Sequence, residues 1–307
     1  NNKNLHFSLD LNNQPLANSY LKEPKQKENI FPLGINFCSK CTHIQLTHEV
    51  NPDLLFRNYL YVSGTTKTGK DYFEWFVSFC ERFTKNKKVL DIACNDGSQL
   101  DAFKKNNFET YGIDPAKNLF KKSSKNHNIE CDYLTSESIA KFNKKFDIII
   151  AQNVFAHNTY PEEFLRICKS NLEKKGYIFI QTSQADMIKN YQFDTIYHEH
   201  ISFFSVKSFC TLANRVGLKI IDVSRTLIHG TSFLFVLSNE GKDNANLFIE
   251  KEVNLDLEKI KAYSKNCKNI ASSTFNEIKK LKNEGYKLIG YGAAAKGNTF
   301  INFSKIK

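Results

Sequence analysis

Residues 88–97 constrain the fold of this chain more than any other stretch. An apolar run, Val89-Leu-Asp-Ile92, leads into a turn of small residues, and the residues after Gly97 have the pattern of a helix start. A strand, a tight turn and a helix N-terminus direct backbone N–H groups and the positive end of the helix dipole towards a ligand. The stretch therefore predicts the opening of a nucleotide-binding α/β domain.

A second acid lies at the end of the next predicted strand, Thr110-Tyr-Gly-Ile-Asp114. An acid in this place suits ribose hydroxyls. A dinucleotide-binding turn prefers G-x-G-x-x-G, whereas this turn reads Asp91-Ile-Ala-Cys-Asn-Asp-Gly97. That pattern resembles motif I of class I S-adenosylmethionine-dependent methyltransferases, although most members have glycine where this chain has Ala93. An ordinary Rossmann-like turn without a ligand is the alternative.

Composition limits the size of the protein and its surroundings. A chain of 307 residues, 41% of them hydrophobic, is long enough for two or three domains with buried cores. No apolar run has the length of a membrane span, and the N-terminal residues lack a signal-peptide core. Eight cysteines are scattered rather than set in a dense framework, which favours reduced thiols. We expect a cytoplasmic protein without a membrane partner.

The net charge of +11 raises the question of nucleic-acid binding. The lysines are mixed with acids along amphipathic segments, and no arginine-rich stripe is present. We therefore expect no nucleic-acid partner, while a small anionic substrate would benefit from the same electrostatic field.

The N-terminal region contains a C-x-x-C motif, Cys38-Ser-Lys-Cys41. Two cysteines at this spacing on a turn supply half of a tetrahedral zinc site, and His43 and His48 are further candidate ligands. A redox pair and two reduced structural thiols are the alternatives. The sequence leaves structural zinc open.

Four segments in this region follow, in order, the N-terminal region of the sugar C-methyltransferase family, which they resemble. They are Pro15-Leu16-Ala17-Asn18-Ser19-Tyr20-Leu21, Phe31-Pro32-Leu33, the C-x-x-C with Gln45-Leu46, and Tyr59-Leu-Tyr61-Val-Ser63-Gly64-Thr65. That family methylates carbon in nucleotide-linked keto-sugars. It has another C-x-x-C before the first segment, so this sequence is expected to be part of a longer chain. The resemblance implies Cys38 and Cys41 as zinc ligands.

The resemblance also assigns the cofactor site. An aromatic run such as Tyr59 and Tyr61, ahead of a predicted helix over residues 69–83, is usually part of a core. In the family, this segment faces the cofactor instead. The residues implied in cofactor binding are Asp91, Ala93, Cys94, Asn95, Gly97, Asp114, Asn153 and Ser63.

The remaining strands place more polar residues at the same sheet edge. Residues 146–153 read as a central parallel strand, which puts Gln152, Asn153 and His157 at the ligand edge. Asp132 and Tyr133 end a predicted third strand, either near an adenine or as a solvated strand end. A helix over 161–176, a strand over 177–182, a helix over 205–217 and a closing hairpin over 218–223 and 231–237 complete the predicted domain.

A second stretch with chemical content is Tyr197-His-Glu-His200. As a metal site, its residues are too close together to converge, and the H-E-x-x-H spacing is absent. If this stretch were only a structural loop, several of its polar side chains would have no role. As a general acid/base cluster, it matches the family segment residue by residue, and we favour this interpretation.

The C-terminal part begins with residues 246–284, which are rich in charged residues and have the pattern of a helix. It ends in Tyr286-Lys-Leu-Ile-Gly290-Tyr-Gly-Ala-Ala-Ala-Lys296-Gly297, which reads as strand, small-residue turn and helix. Backbone amides and Lys296 at such a turn suit a diphosphate. The stretch resembles the opening of the family's C-terminal Rossmann-like domain, here expected to be incomplete. Substrate-binding residues by resemblance are His198, His229, Lys296 and Asn298.

The sequence thus predicts an α/β protein with a class I methyltransferase sheet (66–238), a small N-terminal zinc-type domain (1–65) and a partial C-terminal Rossmann-like domain (239–307). The implied reaction is S-adenosylmethionine-dependent methylation of the carbon beside the ketone of a nucleotide-linked keto-sugar. Removal of the proton α to the carbonyl requires a base and a stabilised enolate. By resemblance His200 is the base, supported by Tyr197, Glu199, His157, Tyr59 and Tyr61. Sugar O-methylation and a non-catalytic nucleotide-sugar-binding protein are the alternatives.

Overall fold

The computed structural model describes residues 4–21, 23, 25–184, 186–228, 230–292 and 295–306. In chain order the strands and helices are β1 (Leu5–Pro15), β2 (Ile30–Cys38), β3 (Ile44–Leu46), α1 (Pro52–Phe56), α2 (Lys67–Cys80), β4 (Lys88–Ile92), α3 (Ser98–Lys105), β5 (Glu109–Ile113), α4 (Lys117–Ser123), β6 (Asn128–Glu130), α5 (Ser136–Ala140), β7 (Phe146–Gln152), α6 (Pro161–Ser170), β8 (Leu172–Ser183), β9 (Ser202–Phe203), α7 (Val206–Val216), β10 (Lys219–Thr226), β11 (Ser232–Ser238), α8 (Ala245–Glu250), α9 (Leu257–Asn283) and α10 (Ala295–Phe303).

The chain divides into two compact units, each built from separate stretches of sequence. The seven-stranded unit comprises residues 52–185 and 206–252, and the four-stranded unit comprises residues 1–51, 186–205 and 253–307. The three sequence domains with boundaries at 65 and 238 remain a prediction.

The seven-stranded unit has a sheet in the order β10-β11-β8-β7-β4-β5-β6. Strands β4 to β8 run parallel, and β11 is antiparallel to both β8 and β10. A parallel sheet closed by an antiparallel hairpin is the class I methyltransferase architecture that the sequence predicts, and the prediction is confirmed. The carboxyl ends of β4, β5, β6 and β7 therefore meet along one edge, where ligands bind in open α/β sheets.

Apolar side chains from the central strands and helices α2 and α3 fill one face of this sheet. The fully buried members of the cluster include Phe76, Phe103, Val89, Ile148, Phe179 and Val236. Helix α2 confirms the amphipathic helix predicted over residues 69–83, and α7 confirms the one over 205–217. Gly217 ends α7 in the left-handed conformation with a φ of 70°.

The predicted helix over residues 161–176 is wrong in its second half. Helix α6 ends at Ser170, and β8 already begins at Leu172. Pairing between β7 and β8 explains why the helix ends early. Leu172 lies opposite Phe146 of β7, and the Asn171 carbonyl accepts the Phe146 N–H at 2.9 Å. Gly176 is required by packing: an added Cβ would lie 2.8 Å from Leu172 Cδ1 and 3.0 Å from the Asp147 carbonyl oxygen.

The four-stranded unit contains an antiparallel sheet in the order β1-β2-β3-β9. No strand was predicted over residues 1–38, where the structure has β1 and β2. Apolar residues alternate along both strands, Leu9 and Leu11 on β1 and Leu33, Ile35 and Phe37 on β2, so one sheet face is buried. Helix α9 covers this core with Ile260, Tyr263 and Cys267.

Two C-terminal expectations are corrected by the structure. Helices α8 and α9 divide the stretch that was expected to be continuously helical. Residues 286–290 form no strand among the described residues, although α10 follows as expected. Ile289 is 92% exposed, so this apolar segment has no neighbouring strand to supply the hydrogen bonds of a ladder.

Membrane insertion through a helix was also tested. In the part of the chain that the structure describes, no helix combines the length and the apolar character needed to cross a bilayer.

We predict that Glu252→Ala lowers the free energy of unfolding by about 1–2 kcal/mol, the usual effect of losing a helix cap. The Glu252 carboxylate accepts the N–H groups of Val206 at 2.7 Å and Lys207 at 3.0 Å, and so caps α7 from a distant part of the sequence. Urea unfolding monitored by circular dichroism measures the change.

Glu250→Ala is the matched control, because that side chain is exposed at the end of α8. It should leave the urea midpoint within experimental error. Equal midpoints for the two variants would contradict the capping role.

Candidate active site

The turn after β4 has an unusual concentration of left-handed backbone. Ala93, Asn95 and Gly97 have φ values of 61°, 52° and 82°. The Ala93 N–H donates to the Ile113 carbonyl at 2.7 Å, which closes the turn against β5. Alanine thus adopts the conformation for which related turns use glycine, at the modest cost of one methyl group.

Asp114, at the carboxyl end of β5, ties this turn to the next loop. Its Oδ2 accepts the Asn95 N–H at 2.7 Å and its Oδ1 accepts the Ala116 N–H at 2.8 Å. Burial raises the pKa of Asp114. Each carboxylate oxygen retains a second lone pair, so the group can accept further hydrogen bonds from a pair of hydroxyls.

Asp91 and Cys94 contribute differently from Asp114. Burial, followed by the charge of Asp114, raises the pKa of Asp91 well above its usual value. The Cys94 side chain packs in the core against Gly112, where an added Cβ would lie 2.6 Å from Cys94 Sγ. Any contact of Cys94 with a cofactor is therefore restricted to its backbone.

Asp96 provides an anionic group in the same turn. Burial alone would raise its pKa, but hydrogen bonds from Lys122 and Ser98 hold the pKa below the usual value. Lys122 Nζ lies 2.6 Å from Asp96 Oδ2. Asp96 is therefore ionised at neutral pH.

Residues 52–65, which we call the roof segment, run along this edge of the seven-stranded unit. The segment contains Tyr59, Tyr61 and Ser63. The Ser63 N–H donates to Asn95 Oδ1 at 3.0 Å, and the Tyr61 carbonyl accepts Asn95 Nδ2 at 3.0 Å. The rings of Tyr59 and Tyr61 are 6.5 Å apart between centroids. The structure thus places all three residues beside the turn that follows β4.

The carboxyl end of β7 supplies the other polar groups. Asn153 has a left-handed backbone with a φ of 55°, and its buried Oδ1 has no hydrogen-bond partner among the residues that the structure describes. Gln152 Nε2 donates to Gln99 Oε1 at 2.9 Å. His157 stacks on Phe56 with ring planes 6° apart, and burial lowers its pKa to about 4. His157 is therefore a neutral imidazole at neutral pH.

The chemistry of these groups suits S-adenosylmethionine. Asp114 offers acceptors for ribose hydroxyls, the left-handed turn carries backbone N–H groups, and the orphaned Asn153 Oδ1 offers an acceptor at the next strand. Asp132 and Tyr133 follow β6, on the other side of β5. Because β7, β4, β5 and β6 are neighbours in the sheet, the polar residues at their carboxyl ends follow one another along one edge.

The Tyr197–His200 cluster belongs to the four-stranded unit; His198, Glu199 and His200 are buried and Tyr197 is half-buried. His200 Nδ1 lies 2.8 Å from the Thr195 carbonyl oxygen. A carbonyl only accepts, so Nδ1 carries the proton and Nε2 is the basic nitrogen of the neutral ring. The Tyr197 ring lies 4.1 Å from the His200 ring, and Glu199 Oε1 accepts a hydrogen bond from Asn18 Nδ2.

Three of the four predicted substrate-binding residues, His198, Lys296 and Asn298, belong to this unit. The buried ring of His198 packs edge-on against Phe31, with 5.9 Å between the ring centroids. Burial lowers the pKa of His198. Asn298 Nδ2 donates to the Pro15 carbonyl at 3.3 Å, and Lys296 precedes it on α10. His229 lies outside the described residues.

The C-x-x-C motif forms a hydrogen-bonded turn at the end of β2. The Cys38 N–H donates to the His43 carbonyl and the Thr42 N–H donates to the Cys38 carbonyl, each at 2.8 Å. Among the described ranges, no three histidine, cysteine or acidic side chains gather closely enough to hold a metal. Zinc binding by Cys38 and Cys41 therefore stays a prediction.

The sequence did not single out Asn118, Phe56 or Gln99, which contact the roof segment and the β7 edge. Asn118 is an exposed residue of α4, and its amide meets the backbone of Tyr59. An asparagine in the first turn of a helix has no distinguishing pattern, so only the fold reveals this contact.

Three family models match successive parts of the chain. A model described as "Methyltransferase domain" matches residues 61–223. A model described as "Putative zinc binding domain" matches residues 1–56, and one described as "C-methyltransferase C-terminal domain" matches residues 227–307.

Individual proteins agree with these matches. The chain is 27% identical to the C-methyltransferase NovU of Streptomyces niveus over 305 residues, covering 94% of this chain and 73% of that protein. It is 24% identical to the ubiquinone biosynthesis O-methyltransferase of Coxiella burnetii over 175 residues, covering 51% of this chain and 74% of the relative. A solved S-adenosylmethionine-dependent methyltransferase from Clostridium acetobutylicum aligns with a TM-score of 0.46 and 10% identity, covering 58% and 94% of the two chains. Because the methyltransferase domain model spans more than half of the sequence, the chain belongs to the methyltransferase family and is an S-adenosylmethionine-dependent enzyme.

Proposed function

We propose that this methyltransferase adds a methyl group to the carbon α to the ketone of a nucleotide-linked keto-sugar. The match to a C-methyltransferase C-terminal domain and the likeness to a protein named C-methyltransferase support transfer to carbon. The keto-sugar comes from the family resemblance of the sequence. The observation that carries the proposal is the tautomer of His200, whose Nε2 is the basic nitrogen.

Methylation of carbon demands a base because a C–H bond beside a ketone is only weakly acidic. In the proposed reaction His200 Nε2 takes the α proton, and the electron pair of the C–H bond forms an enolate. The enolate carbon forms a new bond with the methyl group as the bond from sulfur to that methyl breaks. S-adenosylmethionine supplies the electrophilic methyl as a sulfonium and leaves as S-adenosylhomocysteine.

The surroundings of His200 match the demands on a general base. Donation from Nδ1 to the Thr195 carbonyl fixes the ring orientation and also stabilises the imidazolium that forms on proton transfer. Tyr197, with its ring against His200, is the proposed donor to the enolate oxygen. Glu199 is held by Asn18 and is proposed to position the cluster. Transfer to a hydroxyl oxygen would also use one base, but it requires no enolate.

For the methyl donor, we predict that Asp114→Asn weakens the binding of S-adenosylhomocysteine at least tenfold. The substitution removes an acceptor for ribose hydroxyls and replaces one of the oxygens that hold the turn through Asn95 and Ala116. Isothermal titration calorimetry of the wild type and the variant measures the dissociation constants.

Asp71→Ala on α2 is the control, because that side chain is exposed and should not change affinity. Equal affinities for wild type and Asp114→Asn would refute the assignment of Asp114 to the donor.

For the acceptor, we predict that the wild type exchanges the proton beside the ketone for deuterium when it is incubated in heavy water without the methyl donor. Nucleoside-diphosphate-linked keto-deoxysugars are the test compounds, and proton NMR follows loss of the α signal. His200→Gln should reduce exchange by a factor of about 100 or more, in the range usual for a general base.

His6→Gln, a change at a histidine of β1 that contacts Ser39, serves as the control and should exchange like the wild type. An enzyme that methylates these sugars without α-proton exchange would favour O-methylation. Undiminished turnover by His200→Gln would exclude His200 as the base.

A further inference from the structure

Two asparagine side chains hold the backbone in the middle of the roof segment. Asn118 Nδ2 donates to the Tyr59 carbonyl at 2.8 Å, and Asn118 Oδ1 accepts the Tyr59 N–H at 3.1 Å. Asn95 makes the same kind of paired contact, to the Tyr61 carbonyl and the Ser63 N–H, both at 3.0 Å. Each amide thus satisfies one backbone donor and one backbone acceptor, as a neighbouring strand would.

The positions of the two asparagines are significant. Asn95 lies in the left-handed turn after β4, and its N–H is also bound by Asp114. Asn118 lies in the first turn of α4, directly beyond Asp114. The roof segment is therefore attached on both sides of the acid that is assigned to the donor ribose.

Further contacts extend the segment along the same edge. Near β6, Asp53 accepts hydrogen bonds from Arg57 and from the Tyr133 hydroxyl, both at 2.9 Å. At the end of β7, Phe56 stacks on His157. The segment thus makes contacts from the β6 end to the β7 end of the row that holds the cofactor candidates.

Residues 57–62 form no helix or strand that would hold them otherwise. Leu60 and Tyr61 are 52% and 49% exposed, so little apolar burial fixes their place. The stability of such a segment against local opening depends on few contacts and is separate from that of the core. The asparagine bonds join its middle to the sheet edge, next to a longer backbone bond from the Lys117 N–H to the Arg57 carbonyl at 3.3 Å.

We propose that Asn118 is a positioning residue, which acts with Asn95 to hold the roof segment over the bound methyl donor and thereby sets how fast the donor product leaves. The inference rests on the donor site along the β4–β5 edge and is independent of the identity of the acceptor. Asn118 acts through the backbone of Tyr59 rather than through contact with the reacting atoms.

The test compares wild type, Asn118→Ala and Asn118→Asp in the binding of S-adenosylhomocysteine. We expect dissociation from Asn118→Ala, measured by stopped-flow displacement, to be about tenfold faster, equivalent to about 1.4 kcal/mol. Asn118→Asp keeps the acceptor for the Tyr59 N–H but places a carboxylate against the Tyr59 carbonyl, so it should also release faster. The thermal midpoint should change little because the lost bonds are at the surface.

Hydrogen exchange adds a measurement that a general structural defect would not reproduce. In Asn118→Ala the Tyr59 amide should exchange faster, while the Ser63 amide, bound by Asn95, should stay protected. The control is Asn126→Ala, since Asn126 is an exposed asparagine in the turn after α4. It should match the wild type in both measurements.

The outcomes separate this inference from the donor site itself. Dissociation within twofold of the wild type in both Asn118 variants would overturn the positioning role and leave the donor site intact. Loss of Tyr59 and Ser63 protection together, with a lowered thermal midpoint, would overturn it in favour of a general folding role. Failure of the wild type to bind S-adenosylhomocysteine would overturn both proposals.

Discussion

The paired hydrogen bonds of Asp114 are the interaction on which the donor edge of this protein depends. One carboxylate binds the N–H of Asn95 in the turn after β4 and the N–H of Ala116 in the loop after β5. The turn contains three residues with left-handed backbone, a conformation that costs energy for alanine and asparagine. Two charge-assisted bonds from a buried acceptor offset that cost and fix the backbone N–H groups around the ligand position.

Burial shifts the pKa values of several groups along this edge. The pKa values of Asp91 and Asp114 are raised, and that of His157 is lowered to about 4. Asp96 is the exception, because Lys122 stabilises its carboxylate. In the four-stranded unit, the Thr195 carbonyl accepts a hydrogen bond from His200 Nδ1 and so leaves Nε2 as the basic nitrogen.

Sequence reasoning succeeded where a single segment carries its own signal. The period of the apolar residues and the acid at the end of the strand predicted β4, β5 and β7, because a strand buried on both faces has few acceptable compositions. It failed where pairing between distant segments overrides local preference. Residues 172–176 look like the end of a helix, yet they continue β8 because β7 lies alongside. Residues 286–290 have the sequence pattern of a strand, but no strand lies beside them among the described residues.

The sequence by itself determined the methyltransferase sheet and the positions of the acids and small residues in the turn after β4, since spacing and chemistry within one segment suffice for these. It also identified Tyr197 to His200 as a cluster with acid/base groups. Only the tertiary structure decided which nitrogen of His200 is basic, how Asp114 joins two loops, and that Asn95 and Asn118 hold the roof segment. Each of these depends on a hydrogen bond to the backbone of another residue, and such a bond leaves no pattern in the sequence, because every residue type except proline offers both the same N–H and the same carbonyl.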